Sequence, residues 1–238
     1  MKFYDSQIFT NLSVGEDSLE KMAETAKALG YSTIVIADLF QGLDRFKLFL
    51  EEVQKVKVDG LEIITGVTIE AKTVDEMKNV LSKVRDKVFV VIVNGGDYAI
   101  NRAVVEDSRV DILMNPHMGR IDSGLDEACL NFAKQNGIAI GINFRPLLKS
   151  FRRQRSLALQ NISTNLELCK DFKIRVVGCS GAMSKWDMRD PRQLVAIANS
   201  FGLDLGSGFS ALTGTPLEII EKNRKILAGE AVKGAEVI

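Results

Sequence analysis

Apolar and polar positions follow two rhythms along the chain, and their alternation predicts a repeating β–α order. Seven short runs rich in Val and Ile show little polar alternation, which is typical of parallel strands covered on both faces. They lie at residues 2–5, 33–38, 61–71, 88–94, 110–115, 138–143 and 174–180. Helical periodicity predicts helices at 17–29, 43–56, 74–84, 122–135, 191–201 and 216–227, with another of about six turns starting near Phe151.

Several helix ends carry local signals. Thr73 with Glu76 three residues later forms a capping box, and Gly30 and Gly137 follow the last periodic residues of their helices. No long polar linker interrupts the β–α repeats. The pattern therefore predicts one domain over residues 1–238, an α/β TIM-like barrel with seven clear parallel strands.

The closure of this barrel is expected to be irregular. Residues 201–209 are short and glycine-rich, and they do not give a clear eighth strand. An open doubly wound sheet is the alternative. No apolar run approaches the ~20 residues that cross a bilayer, and the start MKFYD is not a signal peptide, so no membrane association is expected.

The charge distribution is more informative than the total. The 31 Lys and Arg balance 31 Asp and Glu, but residues 143–192 hold 11 basic and 4 acidic side chains, while residues 1–142 hold 16 and 22. A basic third quarter suits an anionic partner. Three cysteines without CxxC spacing favour a reducing, cytoplasmic location. Because the sequence contains a single histidine, His117, metal sites built from several histidines are excluded.

Catalytic groups in such barrels lie at the carboxyl ends of the strands. The residues predicted there are Asp5, Asp38, Asn94, Asn115, Arg145 and Ser180. They do not form a metal-ligand set, and Ser180 lacks the Gly-x-Ser-x-Gly frame of a nucleophile. His117 is either a site residue or a loop histidine bonded to the turn at Asn115. We therefore predict no catalytic residue, no metal ligand and no cofactor bound by this chain.

Small residues follow the seventh predicted strand. Ser180, Gly181 and Ala182 would let a backbone turn approach a phosphate closely. The segment Gly206–Gly208 would lie beside this turn, although a plain loop is the favoured interpretation of that glycine pair.

Cations cluster after the sixth and seventh predicted strands. Arg152, Arg153 and Arg155 open a helix, where arginines are mildly unfavourable unless phosphates dock there. A solvated helix face is the alternative. We predict one cationic rim that positions a nucleic-acid backbone, made of Arg145, Lys149, Arg152, Arg153, Arg155, Lys185, Trp186, Arg189 and Arg192.

Ordered motifs along the whole chain resemble those of RNase P protein component 3, the 30-kDa-type subunit of archaea and eukaryotes. They are FYD at 3–5, DILMNP at 111–116, GRIDSGL at 119–125, IAIGINFRPLL at 138–148, SGA at 180–182, WDMRDP at 186–191 and NR at 223–224. The resemblance implies a barrel related to the polymerase-and-histidinol-phosphatase barrels but without their metal ligands.

The resemblance also implies a role in ribonuclease P, which removes 5′ leaders from precursor tRNA. In that family the catalytic component is RNA with bound Mg²⁺. The implied partners are RNase P RNA, the ferredoxin-like protein component 2, other RNase P proteins and, through the complex, precursor tRNA. Two alternatives remain: a stand-alone barrel phosphoesterase using Asp5 or Asp38, and a scaffold that binds only protein.

Overall fold

Seven parallel strands form the centre of the molecule, as the sequence predicts. The computed structural model describes residues 1–230, in which each strand pairs with the next in chain order. The strands are β1 (Tyr4–Ile8), β2 (Thr33–Ile36), β3 (Glu62–Ile69), β4 (Val90–Asn94), β5 (Ile112–Met114), β6 (Ala139–Asn143) and β7 (Val176–Cys179).

Helices surround this sheet. They are α1 (Leu19–Ala28), α2 (Leu43–Lys55), α3 (Val74–Val84), α4 (Tyr98–Glu106), α5 (Glu127–Asn136), α6 (Arg145–Lys149), α7 (Arg152–Phe172), α8 (Pro191–Ser200), α9 (Leu205–Leu212) and α10 (Gly214–Leu227), with a short 3₁₀ turn at Arg85–Lys87. Within residues 1–230, no helix combines the length and the apolar character that a bilayer crossing requires. The single domain over residues 1–238 extends past the described residues and stays a prediction.

Alternation of side chains along each strand explains why both faces are apolar. On β4, Val90 and Ile92 point into the barrel, whereas Val91 and Val93 pack beneath the surrounding helices. The interior cluster also contains Ile219 and Ile220 of α10. That helix therefore closes one end of the barrel.

The amino end of the barrel holds a buried polar network that fixes α10. Arg85 Nη1 lies 2.5 Å from Asp111 Oδ2, and the same guanidinium bonds to the side-chain oxygen of Asn223. Asn223 Nδ2 donates to the carbonyl of Phe89 at 2.8 Å. The NR motif at 223–224 thus anchors the last helix to the strands.

The barrel is nearly closed, with one unsealed seam between β1 and β7. There the contact between strands is a single parallel bridge between Ile8 and Ala182, where Phe9 N donates to Ala182 O at 2.9 Å. The prediction of an irregular closure is confirmed. The open doubly wound sheet is excluded because the first and last strands meet.

Several predicted boundaries differ from the structure by one or two residues, and two differ by more. Strand β1 extends to Ile8 rather than ending at Asp5. The prediction stopped early because Ser6 and Gln7 are polar, although both are buried in the strand. Helix α5 begins at Glu127, not at residue 122, because Asp126 caps it through a bond from Cys129 N.

Three helices were not predicted as such, among them the five-residue α6 that follows β6. Helix α4 has Asp97 as its cap. Residues 205–212, expected to be a loop, form α9, capped by Asp204 through a 2.9 Å bond from Ser207 N. Ser207 lines a cavity with Val176 at the amino end of β7. The glycine pair 206–208 therefore does not lie beside the Ser180 turn.

Candidate functional site

Neutral polar side chains form the uppermost layer of the barrel interior, at the carboxyl ends of the strands. Gln7 Nε2 donates to Thr68 Oγ1 at 3.0 Å, and Asn143 Nδ2 donates to Gln7 Oε1 at 3.0 Å. We call Gln7, Thr68 and Asn143, all buried, the amide layer. Its role was not predicted from the sequence, although Thr68 shares the inward face of β3 with Ile64 and Gly66 at alternate positions. No group in this layer carries charge.

A cavity of about 500 Å³ opens above the amide layer. Of the six residues predicted at the strand ends, Asn94, Asn115 and Arg145 line it, whereas Asp5, Asp38 and Ser180 do not. We call it the mouth cavity; its lining is Gln7, Phe9, Glu70, Asn94, Gly95, Asn115, Met118, Asn143, Arg145, Pro146, Lys149, Ser150, Gln154, Gly181 and Met183. The strand ends thus form a pocket, but only Glu70 brings it a carboxylate.

Asp5 is sealed beneath the Ser180 turn. Its Oδ1 accepts a bond from Ser180 N at 3.0 Å, whereas its Oδ2 is buried without a partner in residues 1–230. Burial raises the pKa of Asp5 from 3.8 to about 6, against the lowering effect of the bonds from Ser180. This carboxyl group joins β1 to the turn after β7 at the seam, and it cannot reach a ligand in the mouth cavity.

The turn after β7 is held by the protein itself. Besides Ser180 N, Ala182 N donates within the turn, to Ser180 Oγ at 3.2 Å. Gly181 has φ of +61°, and a Cβ there would stand 2.0 Å from the side chain of Asn143. The turn therefore requires glycine. The close approach of this turn to a phosphate stays a prediction. The backbone amides of Ser180 and Ala182 cannot bind that phosphate, because both already donate within the protein.

Asp38 fixes a loop. Its carboxylate accepts bonds from Thr10 N at 2.6 Å, Thr10 Oγ1 at 2.5 Å and Ser13 Oγ at 2.7 Å. Burial raises the pKa of Asp38, and the bonds from Thr10 and Ser13 oppose that shift. These bonds tie the β1–α1 connection to β2, so the group is committed to the fold.

Asp187 joins two predicted cations at the edge of the mouth cavity. It is buried, with Arg145 Nε 3.2 Å from Oδ2 and Lys149 Nζ 3.2 Å from Oδ1. Burial alone would raise the pKa of Asp187, but the bonds from Lys149 and Met183 N and the charge of Arg145 lower it. Two cations share one carboxylate, which leaves this edge positive.

The arginine cluster, Arg152, Arg153 and Arg155, lies at the start of α7, as predicted. All three side chains are exposed. Arg155 Nε donates to Ser150 O at 2.8 Å, and its guanidinium stands 5.6 Å from the Phe151 ring centroid. Arg152 and Arg153 form no ion pair with any described residue. Two of the three arginines are therefore free to meet an anion.

The loop after β7 divides the predicted cationic rim. Trp186 is 76% exposed, with Lys185 Nζ 4.8 Å from its ring centroid. Arg189 Nη1 instead donates to two carbonyls of its own loop. The guanidinium of Arg192 lies 5.4 Å from the Phe3 ring, and Phe3 precedes β1 at the amino end of the barrel. Arg192 therefore lies away from the mouth, and the single continuous rim stays a prediction.

His117 is a buried loop residue, as one of the two interpretations predicts, but the partner of its ring is Asn165 of α7 rather than the turn at Asn115. Its Nδ1 lies 3.4 Å from Asn165 Nδ2, and burial lowers its pKa to about 4. The ring is therefore neutral near pH 7. Within residues 1–230, His, Cys, Asp and Glu form no cluster of three or more with the placement to hold a metal ion.

Comparison with known sequences assigns this architecture to a family. The model of the family described as RNase P subunit p30 matches residues 2–226. Ribonuclease P protein component 3 of Methanosarcina mazei is 34% identical over 223 residues, which cover 94% of this chain and 90% of that protein.

Solved structures give a consistent result. A chain in the cryo-EM structure of archaeal ribonuclease P with mature tRNA superposes with a TM-score of 0.78 at 26% identity, over 99% of this chain and 97% of that one. A putative histidinol phosphatase from Listeria monocytogenes has a TM-score of 0.59 at 11% identity, over 78% of this chain and 97% of that one. The second likeness concerns the fold alone.

Proposed function

This chain belongs to the RNase P subunit p30 family and is a protein subunit of ribonuclease P, and on that premise we propose that it binds RNA and partner proteins while another component of the complex breaks the phosphodiester bond. Ribonuclease P is the endoribonuclease that removes 5′ leaders from precursor tRNA. The proposed contribution of this chain is cationic surface and shape.

The state of the acidic groups around the mouth cavity carries the non-catalytic part of the proposal. Asp5 is sealed, Asp38 holds a loop, and Asp187 is bound to Arg145 and Lys149. Hydrolysis through general acid and base groups needs two such groups converging on one substrate position. Among the described residues that line the cavity, Glu70 is the one carboxylate, and no second acid or base of this kind lies beside it in the lining. This arrangement supports a non-catalytic role over a stand-alone phosphoesterase.

The arginine cluster supports the RNA-binding part. Its exposed guanidinium groups stand beside Gln154, which lines the mouth cavity. Phosphate contacts by arginine position a nucleic-acid backbone without reading sequence. We propose that Arg145, Lys149 and this cluster form the main contact. Lys185 with Trp186, the turn at 180–182, and the more distant Arg189 and Arg192 are secondary contacts.

The partners follow from the same premise. We propose RNase P RNA, protein component 2 and other RNase P proteins as direct partners, and precursor tRNA as one met through the complex. The Mg²⁺ used in cleavage belongs to the RNA in this proposal, and the chain itself holds no cofactor. We also propose a cytoplasmic location.

Reconstitution tests the function. Cognate RNase P RNA and the partner proteins are mixed with and without this chain, and leader removal is measured across Mg²⁺ concentrations. We expect the chain to raise the rate and to lower the Mg²⁺ requirement. No change on adding folded chain, with the other subunits present, would contradict the proposal.

The isolated chain, freed of nucleic acid, provides the second arm. Phosphoesterase and ribonuclease assays, together with metal analysis, are expected to show no turnover. Cleavage that disappears in Asp38→Asn or Glu70→Gln would favour the enzyme instead. Failure to bind RNA even with component 2 present would favour a scaffold that binds only protein.

A further inference from the structure

Two amide side chains in the mouth cavity, those of Asn94 and Asn115, have hydrogen-bonding groups without a partner in residues 1–230. Gln7 donates to Thr68 and accepts from Asn143, and Asn143 Oδ1 accepts a bond from Arg145 N. Asn115, only 5% exposed, accepts one 3.4 Å bond at Oδ1 from Asn143 N, and its Nδ2 has no partner within residues 1–230. The side chain of Asn94 makes no hydrogen bond to any residue of that range. Both residues line the cavity.

An unused donor on a nearly buried side chain needs explanation, because buried polar groups are normally satisfied. Asn115 Nδ2 is not among the side-chain atoms that are sealed in protein without a partner. It therefore remains in contact with the cavity. Asn115 also has φ of +50°, a left-handed conformation that asparagine tolerates better than most residues. Strained backbone of this kind is concentrated at binding sites.

Part of the cavity wall is apolar. Phe9, Met118 and Met183 line it, and thioether and ring surfaces pack well against a flat aromatic ligand. A volume of about 500 Å³ lies within the range of small-molecule sites. The cavity thus combines an apolar stretch of wall with neutral amides at its base that offer both donors and an acceptor.

The positive charge lies on one side. Arg145 and Lys149 stand where the cavity meets α6, and together they exceed the single charge of Asp187. Glu70, an exposed residue, brings one carboxylate to the lining. A ligand that fits has a flat, neutral part with polar edges and one anionic group attached. An unpaired nucleotide has this composition, and its Watson–Crick edge is free only outside a duplex.

We propose that the mouth cavity holds one unpaired nucleotide of RNA, with the edge of its base bonded to Asn94 and Asn115. The phosphate attached to it lies beside Arg145 and Lys149. This inference rests on the proposed function, because it requires RNA at this face of the barrel. It adds a base-contacting pocket to a surface otherwise expected to touch only phosphates.

Base-specific chemical probing of the reconstituted complex tests the pocket. Dimethyl sulfate and a carbodiimide modify exposed Watson–Crick edges, and reactivity is compared for the wild type, Asn94→Leu and the control Gln160→Ala, an exposed residue of α7 outside the cavity. We expect one nucleotide that the wild type and the control protect and Asn94→Leu exposes, with reactivity rising about five- to tenfold. Asn94→Asp, which keeps the size and adds a negative charge, should expose the same nucleotide.

Two arms identify the source of the nucleotide. Protection without precursor tRNA assigns it to RNase P RNA, whereas protection that appears only with precursor tRNA, and maps onto it, assigns it to the substrate. A complex that assembles with both Asn94 variants but shows no base whose reactivity depends on Asn94 overturns the inference. The proposed function survives that result if the salt-dependent RNA binding persists.

The isolated full-length chain gives an independent readout. The four 5′-nucleoside monophosphates are titrated into ¹⁵N-labelled protein, and the side-chain amide signals of Asn94 and Asn115 are followed by NMR. We expect both signals to shift with at least one nucleotide, and the affinity to fall about five- to tenfold in Asn94→Leu. No shift at millimolar nucleotide counts against the pocket.

Discussion

Replacing the arginine cluster measures the phosphate contacts of this subunit. Each phosphate neutralised by a cation contributes about 0.7 to the salt slope of binding on single-stranded nucleic acid and about 0.9 on a duplex. Arg155 is already bonded to Ser150 O and stacked on Phe151, whereas Arg152 and Arg153 are free. The triple alanine variant should therefore lower the slope by the equivalent of two contacts, about 1.4–1.8.

The assay is binding of RNA by the complex, measured across a series of salt concentrations for the wild type and for the triple variant. Lys78, Lys83 and Lys87 provide a charge-matched control, because they are exposed cations in and after α3. Their triple alanine variant removes the same net charge from another face. We expect its slope to stay near that of the wild type.

Stability should not fall with the arginine cluster. Arginines in a first turn face the positive end of the helix dipole, at a cost of roughly 0.3–1 kcal/mol each, so alanine there is neutral or slightly stabilising. Thermal unfolding checks this point. An unchanged salt slope in a folded triple variant, or an equal fall in the α3 control, would refute the contact assigned to the cluster.

Three further predictions concern the fold around the site. Arg85→Met strands a buried carboxylate at Asp111 and should cost about 3–5 kcal/mol in denaturant unfolding, against at most ~1 kcal/mol for Arg224→Ala at an exposed pair with Glu62; equal losses would contradict the network. Gly181→Ala adds a clash to the strain of a positive φ and should destabilise more than Gly202→Ala, where φ is +99° and no atom lies within 4 Å. In the folded protein the pKa of Asp5 is raised to about 6, so the contribution of Asp5 to stability falls as the pH rises from about 4 to about 6. The pKa of His117 is lowered to about 4, so the contribution of His117 to stability increases as the pH rises from about 4 to about 6.5. The two nearly cancel, and Asp5→Asn should reveal a stability that increases with pH over that window, whereas His117→Gln should reveal one that decreases.

Most of the fold could be predicted because its strands are doubly buried. Runs such as Val90–Asn94 have no competing interpretation once they recur between helices. The failures are places where tertiary contacts override local signals. Helix α9 contains Gly206 and Gly208, which argue against a helix, but a Cβ at Gly208 would come within 3.3 Å of Val195 Cγ1. Glycine lets α9 pack closely on α8, a requirement that local propensity cannot show.

The cations of the candidate site could be predicted from the sequence, whereas the amide layer beneath the mouth cavity could not. Basic residues are concentrated in sequence, so the arginine cluster could be found from charge alone. Asp187 lies 42 residues from Arg145, and the sequence does not indicate that the two pair. Gln7 and Asn143 are separated by 136 residues and meet only when the barrel closes and leaves β7 alone between β6 and β1. Long-range pairs of this kind follow from the register of the strands.

The seam has a consequence for how the molecule is made. The bond between Ser180 N and Asp5 Oδ1 joins residues 175 apart, and the plug that α10 supplies comes later still. A chain emerging from the ribosome must carry the open edge of β1 through almost the whole of its synthesis. Such an edge invites pairing with other strands until β7 arrives. The seam therefore cannot close before β7 and the turn at 180–182 have been synthesised, and RNA can bind the mouth cavity only after that point.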